Sequence, residues 1–527
     1  MKRLFFFICV FTLLCSPSSF AAVEWDGTSA PWTKGTGTET DPYLIETPQH
    51  LSYLSEMVSA GINTYKDKYF KQTLDFDMKS LVFTPIGISE KYPFEGNYNG
   101  NNKYVSNLKI SGDNDNDYIA LFGYAVGATI DKVSVGGSFS CTYSGRKYAA
   151  GILAFGKNVK LYNCQNRADI KVGCQGDAAG IVAVLSGICN LINCSNAGVV
   201  SCMGTSGGIV GTNDNAAVST LTNCSNTGLV SSNAASSSGK GGGILGSNAK
   251  EGKITLSNCS NIGSIVSTSS GRYTMSIAGG CVASNSGYAT LTTCSNRGDM
   301  SVSSYGTHAS GIVGFTFSDG SCKINNCYAH CAFSTRATSG GVDSDCTYGV
   351  ANNGIISNCY FAGKLTGISS FGISKEGTVT NSYFNSDCGA STSGKGTAKT
   401  TAQLKSASMP ILLNGLETGT TWVMDTNNSN DGYPIFGWQV PVITYAITTT
   451  CDDTQGTVSG SGNYTEGTVV ALTATPNDGY AFSGWSDGDK SNPRSVTVGT
   501  SDATYKALFV KMRYVITVNQ DCSVNIQ

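Results

Sequence analysis

LINCSNAGV, residues 191–199, returns as LTNCSNTGL at 221–229, LSNCSNIGS at 256–264 and LTTCSNRGD at 291–299. LYNCQNRAD (161–169) precedes the series, and INNCYAHCA (324–332), ISNCYFAGK (356–364) and VTNSYFNSD (379–387) continue it. The shared cysteine falls at Cys164, Cys194, Cys224, Cys259, Cys294, Cys327 and Cys359, with Ser382 in its place in the last copy. Spacings of 30, 30, 35, 35, 33, 32 and 23 residues are those of a solenoid, a propeller or an array. A second phrase alternates with the first: AGILAFG (150–156), AGIVAVL (179–185), GGIVGTN (207–213), GGILGSN (242–248), AGGCVAS (278–284) and SGIVGFT (310–316).

Strand length chooses among these architectures. Each apolar burst is short, rich in β-branched or small residues, and closed by Gly, Asn or Ser, which describes strands. A helical repeat needs apolar residues at 3.6-residue spacing over about ten or more positions, and none occurs here. Propeller blades need about 40–45 residues with aromatic signatures, also absent. Short parallel strands, stacked coil on coil, remain. The predicted fold is an all-β parallel β-helix with terminal caps, followed by a small separate β domain.

Stacking explains the composition. Equivalent residues in successive coils sit roughly 4.8 Å apart, so ten coils make a rod of about 50 Å, and each residue type lies on its own kind. Like charges repel at that distance, and only 13% of residues are charged. Asn163, Asn193, Asn223, Asn258, Asn326 and Asn358 are predicted to form one ladder at a turn, because Asn tolerates the left-handed conformation and its amide can bond up and down the stack. Asn196, Asn226, Asn261 and Asn296, each followed by x-Gly, are expected to mark a second corner. The seven repeat cysteines are expected to form a column of small, buried thiols. Vertical disulfides fit parallel Cβ vectors poorly.

The termini carry other signals. Lys2 and Arg3 precede the apolar run Leu4–Cys15 and the small-residue stretch ending at Ala21 and Ala22, which reads as a cleaved secretory signal over residues 1–21. A lipoprotein reading through Cys15 would need a small residue where Leu14 stands. Without Lys2 and Arg3 the chain carries 32 basic and 36 acidic side chains, which gives no basic stripe for nucleic acid. No later apolar run is long enough to cross a membrane. Residues 22–110 read as an N-terminal cap and first coils, 111–398 as the repeats and 399–441 as a C-terminal cap. Thr47-Pro48 opens a capping helix that Gly61 stops. TAQLKSASMPILLNGL (401–416) reads as helical until Pro410 interrupts it, and Trp422, Tyr433 and Trp438 are expected to plug the end of the core. Residues 442–510 alternate apolar and polar residues between turns, as a small antiparallel β domain does. Residues 511–527, beginning near RYVITV, read as a tail or an incomplete further copy.

WDGTSAPWTKGTGTETDPYLIETPQHLSYLSEMV (25–58), FTPIG (83–87), FEGNYNG (94–100), the GIVG phrases and NDGYPIFGW (430–438) together resemble GLUG-motif proteins, over roughly residues 23–440. That resemblance implies a right-handed parallel β-helix on an exported bacterial protein of the Bacteroidetes type, placed extracellularly or on the outer cell surface and presumed adhesive. The motif also accompanies some IgA-cleaving metallopeptidases, but the chain contains no HExxH zinc signature. Residues 445–509 resemble the divergent internalin B-repeat, which implies a β-grasp-like module without catalysis.

Chemistry-bearing clusters are few. CKINNCYAHC offers Cys322, Cys327, His330 and Cys331 to a metal, yet Cys327 already belongs to the column and one side of a coil rarely converges four ligands. His330, Arg336, Asp343 and Asp345 form the densest titratable stretch and read more simply as a solvated turn. Asp113, Asp115 and Asp117 suggest a calcium loop, but Tyr118 stands where such a loop needs Gly and Tyr124 where it needs Glu. Asp487 and Asp489 are a weaker cation candidate. No catalytic set, metal or cofactor is therefore expected. If Cys327 and Cys359 point inward, Tyr328 and Tyr360 point outward with Tyr383 in line, forming a strip that either holds a sugar ring or a partner's apolar patch or is covered by a loop or the C-terminal cap, since large exposed apolar patches are uncommon. The functional expectation is a non-enzymatic exported protein that binds host or neighbouring-cell glycans or proteins. A β-helix carbohydrate-active enzyme and a passive stalk are the competing readings.

Overall fold

Five short strands carry the chain once around a coil: Ile188–Ile192, Ser195–Asn196, Val200–Cys202, Thr205–Gly207 and Val210–Asn213, after which Val218–Thr222 lies on Ile188–Ile192. The computed structural model describes residues 22–527 except 113–116, 142–144, 236, 338–344, 390–393, 416–418, 441, 514–515, 519–523 and 527. The expected signal segment, Asp113, Asp115 and Asp343 therefore lie outside the described residues. The chain divides into two compact units after Gly437.

In the first unit, among the described residues, stacked coils build parallel sheets of 12, 19, nine and seven strands, and the chain visits them in that order. Register is kept residue by residue. Leu161, Leu191, Leu221, Leu256, Leu291, Ile324, Ile356 and Val379 are successive partners in the 12-stranded sheet. All but Val379 are fully buried, as is every repeat cysteine from Cys164 to Cys359. These cysteines are free thiols, their sulfurs lying against backbone carbonyls such as Ile192 O (3.6 Å from Cys194) and Leu161 O (3.8 Å). Burial pushes the Cys259 and Cys327 thiols well above their ordinary range, which keeps those two in the neutral thiol form.

Asn163, Asn193, Asn223, Asn258, Asn326 and Asn358 all have φ between 50° and 56°. Asn193 Nδ2 donates to Asn163 Oδ1 (3.0 Å), Asn223 to Asn193 (3.1 Å) and Asn258 to Asn223 (3.2 Å). The second asparagine series differs from expectation. Asn166, Asn196, Asn226, Asn261 and Asn296 are fully buried; each of the first four amides donates to the next coil's amide oxygen at 2.7–2.8 Å, and all five donate to the carbonyl two residues on. They are an internal hydrogen-bonded spine rather than a corner, because a ladder is the one arrangement that satisfies a buried amide in every coil. Asn213, Asn248 and Asn285 form another such spine at 2.8 Å. A glycine column packs on the first spine: a Cβ at Gly208 would overlap the Gly243 carbonyl oxygen and the Asn226 side chain.

At the N-terminal end, helix α1 (Pro48–Ser59) is capped by the Thr47 side chain and buries Leu51, Leu54 and Val58. The other cap corrects two expectations. Helix α2 (Thr401–Leu404) stops at Lys405, and Pro410 lies inside helix α3 (Ser408–Leu413). A proline in a first turn costs no hydrogen bond, since those N–H groups have no helical partner. Trp422, Tyr433 and Phe436 form a cluster of their own with Leu404, Met409 and Leu413, separate from the solenoid core, and pack on Tyr328 and Tyr360. They seal a flank instead of plugging the core. Trp438 is 46% exposed and belongs to the second unit.

The second unit pairs Thr444–Thr450 in parallel with Ala503–Lys511, flanked by Gly462–Thr465 and Tyr480–Trp485. Gly456–Ser459, Val469–Pro476 and Arg494–Thr497 form a second, antiparallel sheet. The parallel central pair departs from the purely antiparallel expectation. Ile447, Leu472, Trp485 and Val496 fill its core, and Ile516–Val518 pairs antiparallel with Val524–Ile526 beyond it.

Candidate binding groove

The expected tyrosine strip is stacked but closed. Tyr328 and Tyr360 rings lie 5.1 Å apart at 2°, and both residues are 0% exposed. Trp422 and Phe436 cover Tyr328, the Tyr360 hydroxyl donates to Pro434 O, and Asn430 Nδ2 donates to that hydroxyl (2.7 Å). Tyr383 is half-buried with Lys399 over its ring. The strip is the seat of the cap and offers no free surface, because rings exposed by a ladder are the best apolar footing for a following segment.

The other candidates disperse. His330 faces the cap, with Nδ1 3.1 Å from Asn430 Oδ1, while Cys327 and Cys331 lie in the core. Among the described residues no three potential metal ligands cluster. Asp345 is buried and accepts from Thr307 Oγ1 (2.6 Å), while Arg336 is exposed in another sheet. Asp117 pairs with Lys147 (2.9 Å). Asp487 and Asp489 both bind Arg494, at 2.6 and 3.3 Å.

The bend between the nine- and seven-stranded sheets brings two other rows together. Tyr118, Tyr148, Asp177, Thr205, Lys240, Ile277 and His308 are successive partners on one side. Tyr124, Phe155, Val184, Thr212, Ser247, Ser284 and Phe315 are successive partners on the other. In the six coils from Tyr148 to His308 the two positions stand three residues before and four after the glycine of the second phrase, as in Tyr148-x-x-Gly151-x-x-x-Phe155, whereas in the first coil Leu121 takes the glycine's place and Tyr118 and Tyr124 are one residue closer. That glycine is where the chain turns, so its variable flanks face each other. Contacts across the bend confirm the pairing: Thr212 Oγ1 donates to Asp177 Oδ1 (2.6 Å), Lys240 Nζ to Ser247 Oγ (3.4 Å), and the His308 and Phe315 rings lie 4.5 Å apart.

Along this groove the chemistry changes. At one end Tyr118 stacks on Tyr148 (5.6 Å, 19°) and Tyr124 on Phe155 (4.7 Å, 8°), over a floor of Ala120, Ala150, Ala154 and Ala183. Tyr118, Tyr148 and Phe155 remain half-exposed. Burial raises the Tyr118 and Tyr148 phenols, so both stay neutral hydrogen-bonding groups. In the middle, shorter side chains open a basin of about 980 Å³ lined by Arg146, Asp177, Thr205, Lys240, Ile277 and Phe317. Arg146 binds Asp177 (2.9 Å), which raises the guanidinium pKa further. Burial lowers the Lys240 amine, opposed by the Asp177 charge. At the far end a hollow of about 510 Å³ is walled by His308, Phe315, Phe317 and Tyr348. The phrase spacing was visible in the sequence, but only the bend shows that its flanks converge.

Residues 445–513 match the family described as the divergent InlB B-repeat domain. No curated protein matches the chain in sequence. The chain is similar in structure to a Bacteroides ovatus protein, known from a crystal structure and described provisionally as an immunoglobulin A1 protease. Identity is 20% and TM-score 0.43, over 77% of this chain and 96% of that one.

Proposed function

We propose that the protein is a non-enzymatic, exported surface or secreted protein whose solenoid holds an extended glycan along the groove. The observation that carries this reading is the pair of in-register rows facing across the bend, with stacked aromatic rings at one end, a polar basin, and further rings at the other. Sugars present apolar C–H faces and hydroxyl edges, and aromatic platforms interleaved with hydrogen-bonding side chains match both. Seven coils at about 4.8 Å place the two ends roughly 30 Å apart, a length suited to a chain of sugars rather than one. The N-terminal signal-like segment, the GLUG-like phrases and the B-repeat domain support placement outside the cell.

Binding of a plant and host glycan panel to the whole protein, followed by isothermal titration of the best ligand, tests the reading. Tyr148→Ala and Phe155→Ala should each weaken binding about two- to tenfold, on the scale of about 0.5–1.5 kcal/mol for a lost aromatic contact, while the fold is kept. Binding unaffected by both substitutions would remove the groove. Ligand turnover that Asp177→Asn abolishes would move the protein to the carbohydrate-active enzymes. No binding to any glycan would leave a passive stalk.

A further inference from the structure

Among the described residues two cations, Arg146 and Lys240, and one carboxylate, Asp177, line the basin. Arg146 spends its charge on Asp177, whose second oxygen accepts from Thr212, and Asp214 adds to the field at Arg146. Lys240 stands two coils from Asp177 in the same row, roughly 10 Å away. Among the described residues its amine has no ion-pair partner, and its hydrogen bond is the long one to Ser247 Oγ (3.4 Å). Its neighbours in the row are Thr205 and Ile277, and neither carries charge. Ser284, next to Ser247 in the facing row, has a buried hydroxyl with no partner among the described residues.

Resting on the glycan-binding reading above, we infer that Lys240 reads an acidic group, a carboxylate or a sulfate ester, on one sugar of the chain held in the groove. A half-buried ammonium without a counterion has given up hydration and received no ion pair in return. A ligand anion supplies that pair as a charge-assisted hydrogen bond, roughly twice as strong as a neutral one. Burial, with repulsion from Arg146, lowers the proton affinity of the amine further than the Asp177 charge restores it. Arg146 cannot substitute, since drawing it away would strand the buried Asp177. The groove therefore selects a glycan with acidic residues spaced among neutral ones, stacked on the rings to either side of the basin.

The test compares matched glycans that differ only in charge: hexuronate oligomers of several backbones, the same oligomers methyl-esterified, and a neutral oligomer bearing sulfate esters. The whole protein should bind at least one charged form about tenfold or more tighter than its neutral counterpart, and whether uronate or sulfated glycan wins identifies the anion. Added salt should erode the preference, a readout that needs no variant. Lys240→Gln should weaken binding of the charged form by a larger factor than binding of the neutral form, and so collapse the preference. Equal affinity of the wild-type protein for charged and neutral forms overturns the inference, as does an equal loss of both in Lys240→Gln. Neutral-glycan binding that Tyr148→Ala weakens would in that case keep the groove while discarding the anion site. Failure of every glycan, charged or neutral, overturns both.

Discussion

The solenoid carries two aromatic stacks built by the same rule, and they meet opposite fates. Tyr328 and Tyr360 stand in register one coil apart, as do Tyr118 and Tyr148. The first pair is sealed under Trp422, Phe436 and Tyr433, and the second keeps half-exposed rings beside a basin. Register alone makes rings stack. Whether the stack is a site depends on whether a later stretch of chain finds it first. Residues 401–437 do so at the 19-stranded sheet, so an aromatic strip there is packing material. At the bend, rings, charges and alanines vary from coil to coil, as a surface free of packing demands can.

The comparison breaks most visibly at the cap. Trp422→Ala should cost about 3–5 kcal/mol of local stability, the range for truncating a buried large aromatic, and speed hydrogen exchange of the last coils. In a solenoid such damage stays near its own repeat. Phe155→Ala, half-exposed, should cost well under half as much, and equal losses would mean that the groove rings are structural as well.

The two asparagine ladders sharpen the contrast between inside and outside at the next scale. Asn226→Ala removes a link from the buried spine and leaves the Asn196 amide and the Gly228 carbonyl without their partner. About 1–3 kcal/mol should be lost on denaturant unfolding. Asn223→Gly, at a turn with φ of 54°, should be close to neutral, because glycine adopts that conformation freely. A spine substitution as mild as the turn substitution would refute the buried network.

The smallest effect is in pH. Burial, ahead of the opposing Asn430 and Asp431 interactions, lowers the His330 pKa in the docked cap. The undocked state then binds more protons in the window just below the ordinary histidine value of about 6.5. Docking is at full strength above that value and weakens as pH falls through it, with a slope of at most about 1.4 kcal/mol per pH unit. Asp425 is lowered by backbone hydrogen bonds, against burial, so its contribution is lost only under more acidic conditions. Hydrogen exchange of the cap at pH 7.5 and 5.5 should show the loss, and His330→Asn should flatten it.

Much of this was legible beforehand because a stacked coil repeats its constraints. Each coil must bury a leucine and a cysteine and turn left-handed at an asparagine, so those residues recur and announce the period. The internal spines were misread as corners, since an asparagine followed by x-Gly looks the same whether its amide faces water or the next amide. The tyrosine strip was placed on the correct side of its strand, with a loop or the C-terminal cap weighed as its cover, but nothing local to Cys327-Tyr328 records that residues 422–436 are the ones that return to it. The groove was missed for the complementary reason. Its residues share no identity from coil to coil, and periodicity detects only what repeats.

By itself the sequence determined the coil, its height, its turn asparagines and the separate β unit that follows, all consequences of contacts between a residue and its own equivalent about 4.8 Å away. Tertiary structure alone decided what is open. Exposure at the tyrosine stack depends on a segment some sixty residues or more downstream, and the groove depends on the angle between two sheets. Neither is a near-neighbour property, so neither leaves a period to read.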